Sequence, residues 1–532
     1  MNPTFTQRFC VLLLAAVVFA CGDDDSNSIL SDSENPIVKL TAPVGEGVLY
    51  GTVHVTAIAE DNDEITKLSV FIDNATTPAI EVATASVDFA WDTRTLADGN
   101  HTLRVVATDN SDNVGDVKAT VTIRNTLLSL YVPVDYIPQS QVEYIVISDE
   151  KGTVLDSKQV TNNSTYTFLV PEGFTGQNLT MTAFVRELFD GRYNYNYVYT
   201  YANVPFGNYA YRARTSSSST KKGDATITIT DARFEDNIDQ AFSGRGYFSY
   251  GEFSDGKFEM GIELYADKVP TLLQSYTSGD FLYHYSELVP GGVYSYSFND
   301  FLRADTRPIT VPTTGEITLS ISGTNAAGTF KYIRGVQMER TGSTIQAPVP
   351  ALNFTSIATS IRAANGGESF GYDFVGADVP VGFKQIDGEL SYTRKENTIT
   401  INKDANADYI WFDAQTDVTE DPYNYSFWSV YASPEAGTVT LPQLPKILVD
   451  TYSAPVFSTM VDTYGLYTRQ IDEKGFTGFR DYLDYNFNPQ TTIPASPETL
   501  HRSKTFEKGS HDGGRKAFGA QEGREVSQRP RR

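Results

Sequence analysis

Residues 53–72 read Val53-His-Val-Thr-Ala-Ile-Ala59, then Glu60-Asp-Asn-Asp-Glu64, then Ile65-Thr-Lys-Leu-Ser-Val-Phe-Ile72. Two β-branched runs flank an acidic turn. Period-two alternation puts Val53, Val55 and Ala57 on one face of the first run, with Leu68, Val70 and Ile72 facing them. The pattern continues outward through 37–40, 79–82, 87–91, 102–108 and 117–123. Short strands separated by turns roughly every 8–12 residues predict a β-sandwich over 36–125.

Composition extends this reading to the whole chain. Its 532 residues allow about three to five domains. An aromatic content of 12% excludes disorder throughout. The net charge of −24 excludes a nucleic-acid binder, because phosphate contacts need a basic surface. No apolar run reaches the ~18 residues of a spanning helix. The expected fold class is all-β, as tandem β-sandwich domains.

The two cysteines, Cys10 and Cys21, both lie near the N-terminus, so no disulfide staples the domains. An apolar run over 9–19 follows Arg8 and ends in Val18-Phe19-Ala20-Cys21. A branched residue, a small residue and then Cys resembles the lipobox of bacterial lipoproteins. The resemblance implies a signal peptide over 1–20 and an acylated Cys21 as the first mature residue. Two or three acyl chains hold a protein stably on a membrane. Residues 21–35 are acidic and polar, a flexible tether. The short acidic run after Cys21 resembles the surface-export signal of Bacteroidota lipoproteins. The expected location is the outer membrane, with the lipid as anchor and the chain on the cell surface.

Pro36-Ile-Val-Lys-Leu-Thr-Ala-Pro43, Trp91-Asp-Thr-Arg-Thr-Leu-Ala-Asp-Gly-Asn-His-Thr-Leu103 and Ala107-Thr-Asp-Asn-Ser-Asp-Asn-Val-Gly115 resemble the bacterial immunoglobulin-like domains of surface proteins and secreted glycosidases. That resemblance covers about 90 residues and implies a spacer or adhesive module. Trp91 reads as a core residue. In such a sandwich the loops at 60–64 and 109–113 meet at one end, the anchor-facing end. Asp61, Asp63, Asp109 and Asp112 are then the candidate ligands for Ca²⁺, the one cofactor considered, against a reading of two separately solvated Asx turns.

Residues 126–230 predict a second sandwich, prealbumin-like by analogy, with a hairpin turn at Asp149-Glu-Lys-Gly152. Within it lies Tyr193-Asn-Tyr-Asn-Tyr-Val-Tyr-Thr-Tyr201. Strand periodicity puts Tyr193, Tyr195, Tyr197, Tyr199 and Tyr201 on one face, a row able to stack on sugar rings or to pack against a neighbouring sheet. Two further β-rich domains are expected over 231–350 and 351–495. Tyr423, Tyr425 and Phe427 alternate there with Trp428 opposite, and a short helix is expected over 475–485. A weak repeat relates Pro312-Thr-Thr-Gly-Glu-Ile-Thr-Leu319 to Pro434-Glu-Ala-Gly-Thr-Val-Thr-Leu441. The last 32 residues hold nine Lys/Arg against four Asp/Glu, and 496–532 reads as a basic disordered tail.

No catalytic motif stands. Gly367-Glu-Ser-Phe-Gly371 matches a nucleophile elbow in letters only, because a β-like run follows it where a helix is required. The downstream His501 and His511 fall in the expected tail. Gly323-Thr-Asn-Ala-Ala-Gly-Thr329 lacks the P-loop Lys and reads as a hairpin turn. The expected function is surface binding or adhesion, with a polysaccharide or other surface polymer as partner. The alternative is a structural spacer or accessory subunit of a surface complex, and a glycan-active enzyme ranks third.

Overall fold

The computed structural model describes residues 32–506 except 45–47, 214–219, 234–235, 237, 243–245, 278–279, 366, 389–390, 403–406, 417–423 and 490–495. Cys21 and Tyr423 lie outside the described residues. The chain divides into two units, Met1–Asn125 and Thr126–Arg532. Strands dominate both. Among the described residues no helix is long and apolar enough to cross a membrane.

In the first unit the strands are β1 Ile37–Ala42, β2 Val48–Leu49, β3 Thr52–Glu60, β4 Ile65–Ile72, β5 Ile80–Val82, β6 Ser86–Asp92, β7 Gly99–Asp109 and β8 Val114–Ile123. One sheet runs β1-β3-β6 and the other β2-β8-β7-β4-β5. Val55 and Ala57 of β3 share a buried core with Leu68 and Val70 of β4 and Leu103 and Val105 of β7. Trp91 is 3% exposed in that core. Polar groups close one end of it. Asn125 Oδ1 accepts from Gly51 N at 3.0 Å, and Asn125 Nδ2 donates to Thr93 O at 2.6 Å, so the buried amide is satisfied on both sides.

The second unit is built on one long sheet. Among the described residues its order is Val154–Val160, Gln141–Ser148, Asn178–Phe189, Tyr193–Pro205, Asn424–Ala432, Tyr409–Gln415, Leu466–Glu473, Glu498–Phe506, Glu368–Gly376, Ser356–Asn365, Glu316–Asn325 and Gly328–Gln337. The segments 126–230, 231–350 and 351–495 all lend strands to it. One pair, Tyr193–Pro205 with Asn424–Ala432, is parallel, and the other neighbours are antiparallel.

One face of this sheet is core. Val198, Phe412, Trp428 and Val430 pack with Ile399 and Val439 of a smaller sheet and with Leu448 and Phe457 of the helices α1 Lys446–Tyr452 and α2 Phe457–Tyr464. Farther along, Leu319, Ile361 and Tyr372 pack with Phe281, Ile309 and Ile345.

Several local expectations meet the structure directly. Gly152 takes φ 79° at the turn after Asp149. The repeat's matching glycines, Gly315 and Gly437, both have positive φ, 84° and 64°. Gly323–Thr329 lies at a hairpin joining Glu316–Asn325 to Gly328–Gln337. The short helix forms later than expected, as α3 Phe479–Phe487, after Gly478 at φ 147°.

The reading of 496–532 as disordered needs correction at its start. Glu498–Phe506 is a strand paired on both sides. Composition misleads here because Thr499, His501 and Ser503 are polar yet buried in the folded sheet.

A close approach in the first unit gives a test. A Cβ on Gly115 of β8 would lie 1.8 Å from Pro36 O, a backbone atom with little room to yield. Gly115→Ala should cost about 1–3 kcal/mol and lower the midpoint of thermal unfolding by several degrees. Calorimetry checks this, and an unchanged midpoint would contradict the close packing of the chain before β1 on β8.

Candidate binding site

The acidic loops of the first unit do meet. Ser111 Oγ donates to Asp63 Oδ2 at 2.9 Å, across the two loops. Carboxylate oxygens of Asp32, Asp61 and Asp109 lie within 4.8 Å of one another. Two of the four expected ligands, Asp61 and Asp109, are thus together. Asp63 and Asp112 stand outside this cluster, and Asp32 joins it from what reads as a flexible tether. Asp109 accepts from Ser111 N, Asn113 N and Asn113 Nδ2 at 2.8, 2.8 and 2.9 Å, an Asx turn that closes the β7–β8 hairpin. Asp32 Oδ1 accepts from Asn62 Nδ2 at 3.0 Å, and that bond, with the Glu34 N–H, holds the Asp32 carboxyl below its usual range. These contacts describe a clasp of hydrogen bonds on Asp32 and Asp109, while Asp61 accepts one long bond, from Asp63 N at 3.4 Å. A Ca²⁺ ion takes 6–8 oxygen ligands, of which these three carboxylates would supply part.

The tyrosine run lies in the long sheet of the second unit. Asn196, Val198 and Thr200 are buried on the core face. Tyr193, Tyr195, Tyr197 and Tyr199 are half-buried on the opposite face, and Tyr201 is 9% exposed. The parallel neighbour supplies a second row. Tyr195 pairs with Tyr425, Tyr197 with Phe427 and Tyr201 with Tyr431. The ring centroids are 5.2, 5.3 and 5.2 Å apart, with planes 15°, 12° and 13° from parallel. Rings cannot lie side by side in one plane at that distance. They stack face to face, near the ~4.8 Å spacing of the strands.

The paired rings therefore stand upright on the sheet, and one face of each of them is already covered. This differs from the open row of ring faces expected from the sequence, because the pairing of two strands 230 positions apart was not visible there. A ligand on this surface meets ring edges.

The two ends of the row differ. At the Tyr201 end, Phe487 of α3 stands edge-on to Tyr201 at 4.8 Å, and Tyr482 stacks on Tyr431 and Tyr409 at 5.4 and 4.1 Å. That end is interior packing. At the other end Phe189 is 56% exposed beside Tyr193 and Tyr195.

Across the strands the same face turns polar. Ser429 pairs with Asp413, and Asp413 with Tyr467. Ser429 Oγ donates to Asp413 Oδ1 at 2.8 Å. Burial among aromatic side chains pushes the Asp413 carboxyl up to about 7, against the opposing pull of the Ser429 bond and of the Arg469 charge. Arg469 lies over the rings of Trp411 and Tyr467, at 4.8 and 5.5 Å from their centroids.

Farther on, Asp373 binds Arg362 at 2.8 Å and His501 Nε2 at 2.7 Å. Burial would raise the Asp373 carboxyl, but the Arg362 charge and the hydrogen bonds from His501 and Arg362 together hold it well below the usual range. Burial lowers His501 to about 4, so the neutral ring donates Nε2–H to Asp373. His501 Nδ1 has no hydrogen-bond partner, so Ser369 of the Gly367–Gly371 motif is not bonded to it, and that motif lies at the start of a continuous strand. Beside this trio is an open cavity of about 480 Å³ lined by Glu316, Ala364, Asn365, Ser369, Tyr467 and Ser503 among others.

Sequence reading named the five tyrosines but not their partners. Tyr425 and Phe427 were visible as alternating aromatics, while Asp413, Arg469 and the Arg362–Asp373–His501 trio carried no local signal.

Residues 36–105 match the family model described as bacterial Ig domain. The chain carries an N-terminal bacterial Ig-like domain. No curated protein matches the chain. Among solved structures, the endo-β-1,4-mannanase of Thermotoga petrophila is 17% identical over 18% of this chain, at a TM-score of 0.15, and the chain spans only 21% of that protein. A tetra-tandem repeat from the extending region of a large adhesion protein is 11% identical over 82% of this chain and 95% of its own, at a TM-score of 0.16. A Bacteroides ovatus glucan-utilization protein, SGBP-B, in complex with a mixed-linkage heptasaccharide, is 12% identical over 60% of this chain and 93% of its own, at 0.13. Scores at this level carry no argument about ligand.

Asp413 gives this face a measurable pH dependence. Its folded-state pKa of about 7 exceeds the ordinary 3.8, so the folded chain binds this proton more tightly than the unfolded chain. The resulting stability is full below about pH 4 and is lost as pH rises through about 7. Asp413→Asn keeps an acceptor for Ser429 and removes the buried charge. It should stabilise the protein by on the order of 1–3 kcal/mol at pH 8 and by little at pH 4. Denaturant melts at the two pH values check this; equal effects at both would refute it.

Proposed function

We propose that this chain is a lipid-anchored, cell-surface binding or adhesion protein of an outer membrane, and that a glycan or similar surface polymer is its partner. The observation that carries the reading is the half-exposed double row of Tyr193–Tyr199 and Tyr425–Phe427, on a sheet whose other face is core. Aromatic edges and phenol groups suit a polyhydroxyl ligand, which offers both apolar C–H surface and hydroxyls. Weak contacts of this kind become effective when many anchored copies act on one polymer. The Ig-like domain serves as spacer between anchor and binding unit in this reading.

Two measurements test it. Cys21→Ser should abolish labelling of the protein by a fatty-acid analogue in the producing cell, and persistent labelling would remove the anchor. The double variant Tyr195→Ala, Tyr199→Ala should weaken polysaccharide binding roughly tenfold, since each ring contact contributes ~0.5–1.5 kcal/mol. Its melting temperature should fall by only a few degrees, because these rings are half-exposed. Strong destabilisation with no binding by the parent protein would make the rows interior packing and favour the spacer or accessory-subunit reading.

A further inference from the structure

Resting on that reading, we infer that the ligand is an uncharged polysaccharide that runs across the strands, from the Tyr195–Tyr425 pair to the cavity at Tyr467, Ser503 and Ser369. The register puts these positions on one face of the sheet, where Ser429 and Ser503 are small buried residues between half-exposed neighbours. Tyr199 pairs with Ser429, Ser429 with Asp413 and Asp413 with Tyr467. One alternation along, Arg469 pairs with Ser503, Ser503 with Ser369 and Ser369 with Ala364. Directly paired residues share a face, so the tyrosine rows and the cavity lie on the same side of the sheet. From Tyr193–Pro205 to Glu368–Gly376 is five strand spacings of ~4.8 Å, about 24 Å. That span calls for a chain of several sugar rings.

The charge pattern selects the class. Arg502 and Lys504 are held by Glu368, at 3.1 and 3.3 Å. Arg362 is held by Asp373 at 2.8 Å. Arg469 lies over Trp411 and Tyr467 and senses Asp413. Among the described residues, the cations between the Tyr195–Tyr425 pair and the cavity are thus each engaged by an acid or a ring, with Arg192 exposed beyond the Tyr193 end, while Glu316 adds an exposed carboxylate at the cavity. An anionic polymer would find no uncommitted cation among the described residues along that path, on a chain whose net charge is −24. A neutral chain meets hydroxyls, amide and ring edges, with no buried charge left to compensate.

The test uses the full chain, with a galactomannan and hydroxyethyl cellulose as neutral probes and polygalacturonate as the acidic one. Affinity electrophoresis or calorimetry reads binding. Ala364→Trp and, separately, Asn365→Trp add bulk at exposed lining positions away from the core, so at least one should keep the parent melting temperature. A neutral polymer should bind with little dependence on salt, and either Trp variant should weaken it about tenfold, as expected of the double variant Tyr195→Ala, Tyr199→Ala. Binding that Tyr195→Ala weakens and neither folded Trp variant changes would remove the cavity from the site and leave the binding reading intact. Salt-sensitive binding of polygalacturonate in preference to the neutral probes would overturn the uncharged class. Binding of no polysaccharide at all would overturn the binding reading together with this inference.

Discussion

The parallel pairing of Tyr193–Pro205 with Asn424–Ala432 is the contact on which the candidate site depends. Parallel neighbours need a long crossover, and here more than two hundred residues intervene. The register is fixed from the core side. Trp428 Nε1 donates to Thr200 Oγ1 at 3.0 Å, and Thr182 and Thr200 share a hydroxyl contact at 3.0 Å on the neighbouring pair. A slip of one residue would expose Trp428, Val198 and Val430 and bury the tyrosines, so the apolar core enforces the alignment. The ring-on-ring stacking of Tyr195 with Tyr425 and of Tyr197 with Phe427 then follows from the register.

That constraint also explains why the row is not uniform. The sheet presents the same alternation from Tyr193 to Tyr201, but α3 covers only the Tyr201 end. Phe479, Tyr482, Leu483 and Phe487 are buried on α3, linked by spacings of three and four residues that put them on one side of a short helix. They turn Tyr201, Tyr431 and Tyr409 into interior packing. One sequence motif is thereby divided between two roles, core at one end and accessible surface at the other.

How much was legible follows the range of the forces involved. The sandwich of β1–β8 was readable almost strand by strand, because alternation, turn residues and a buried Trp91 are local or nearly so. Val55, Ala57, Leu68 and Val70 fell where the pattern placed them. The face of the five tyrosines was readable for the same reason. Their partners were not, since nothing near Tyr195 in sequence points to Tyr425. Glu498–Phe506 was missed on composition. Its buried positions are Thr499, His501 and Ser503, which read as polar tail until Asp373 and the strands on either side are in place. Asp32 was likewise read as tether, and only the folded loops show that Asn62 and Asn113 reach it.

The outward face of the long sheet shows what burial demands of ionisable groups. A carboxylate taken out of water must find a cation or donors, or else keep its proton. Asp373 takes the first route, with Arg362 at 2.8 Å and the neutral His501 as donor. Asp413 takes the second, with one hydroxyl donor, Arg469 turned onto aromatic rings and a carboxyl near neutrality. Both routes end in a surface with little uncompensated charge. The long sheet thus runs a nearly neutral strip through a strongly acidic chain. Strand alternation fixes where the strip lies, and the desolvation of its acids fixes its charge. Together they make its chemistry a consequence of the fold rather than of any one motif.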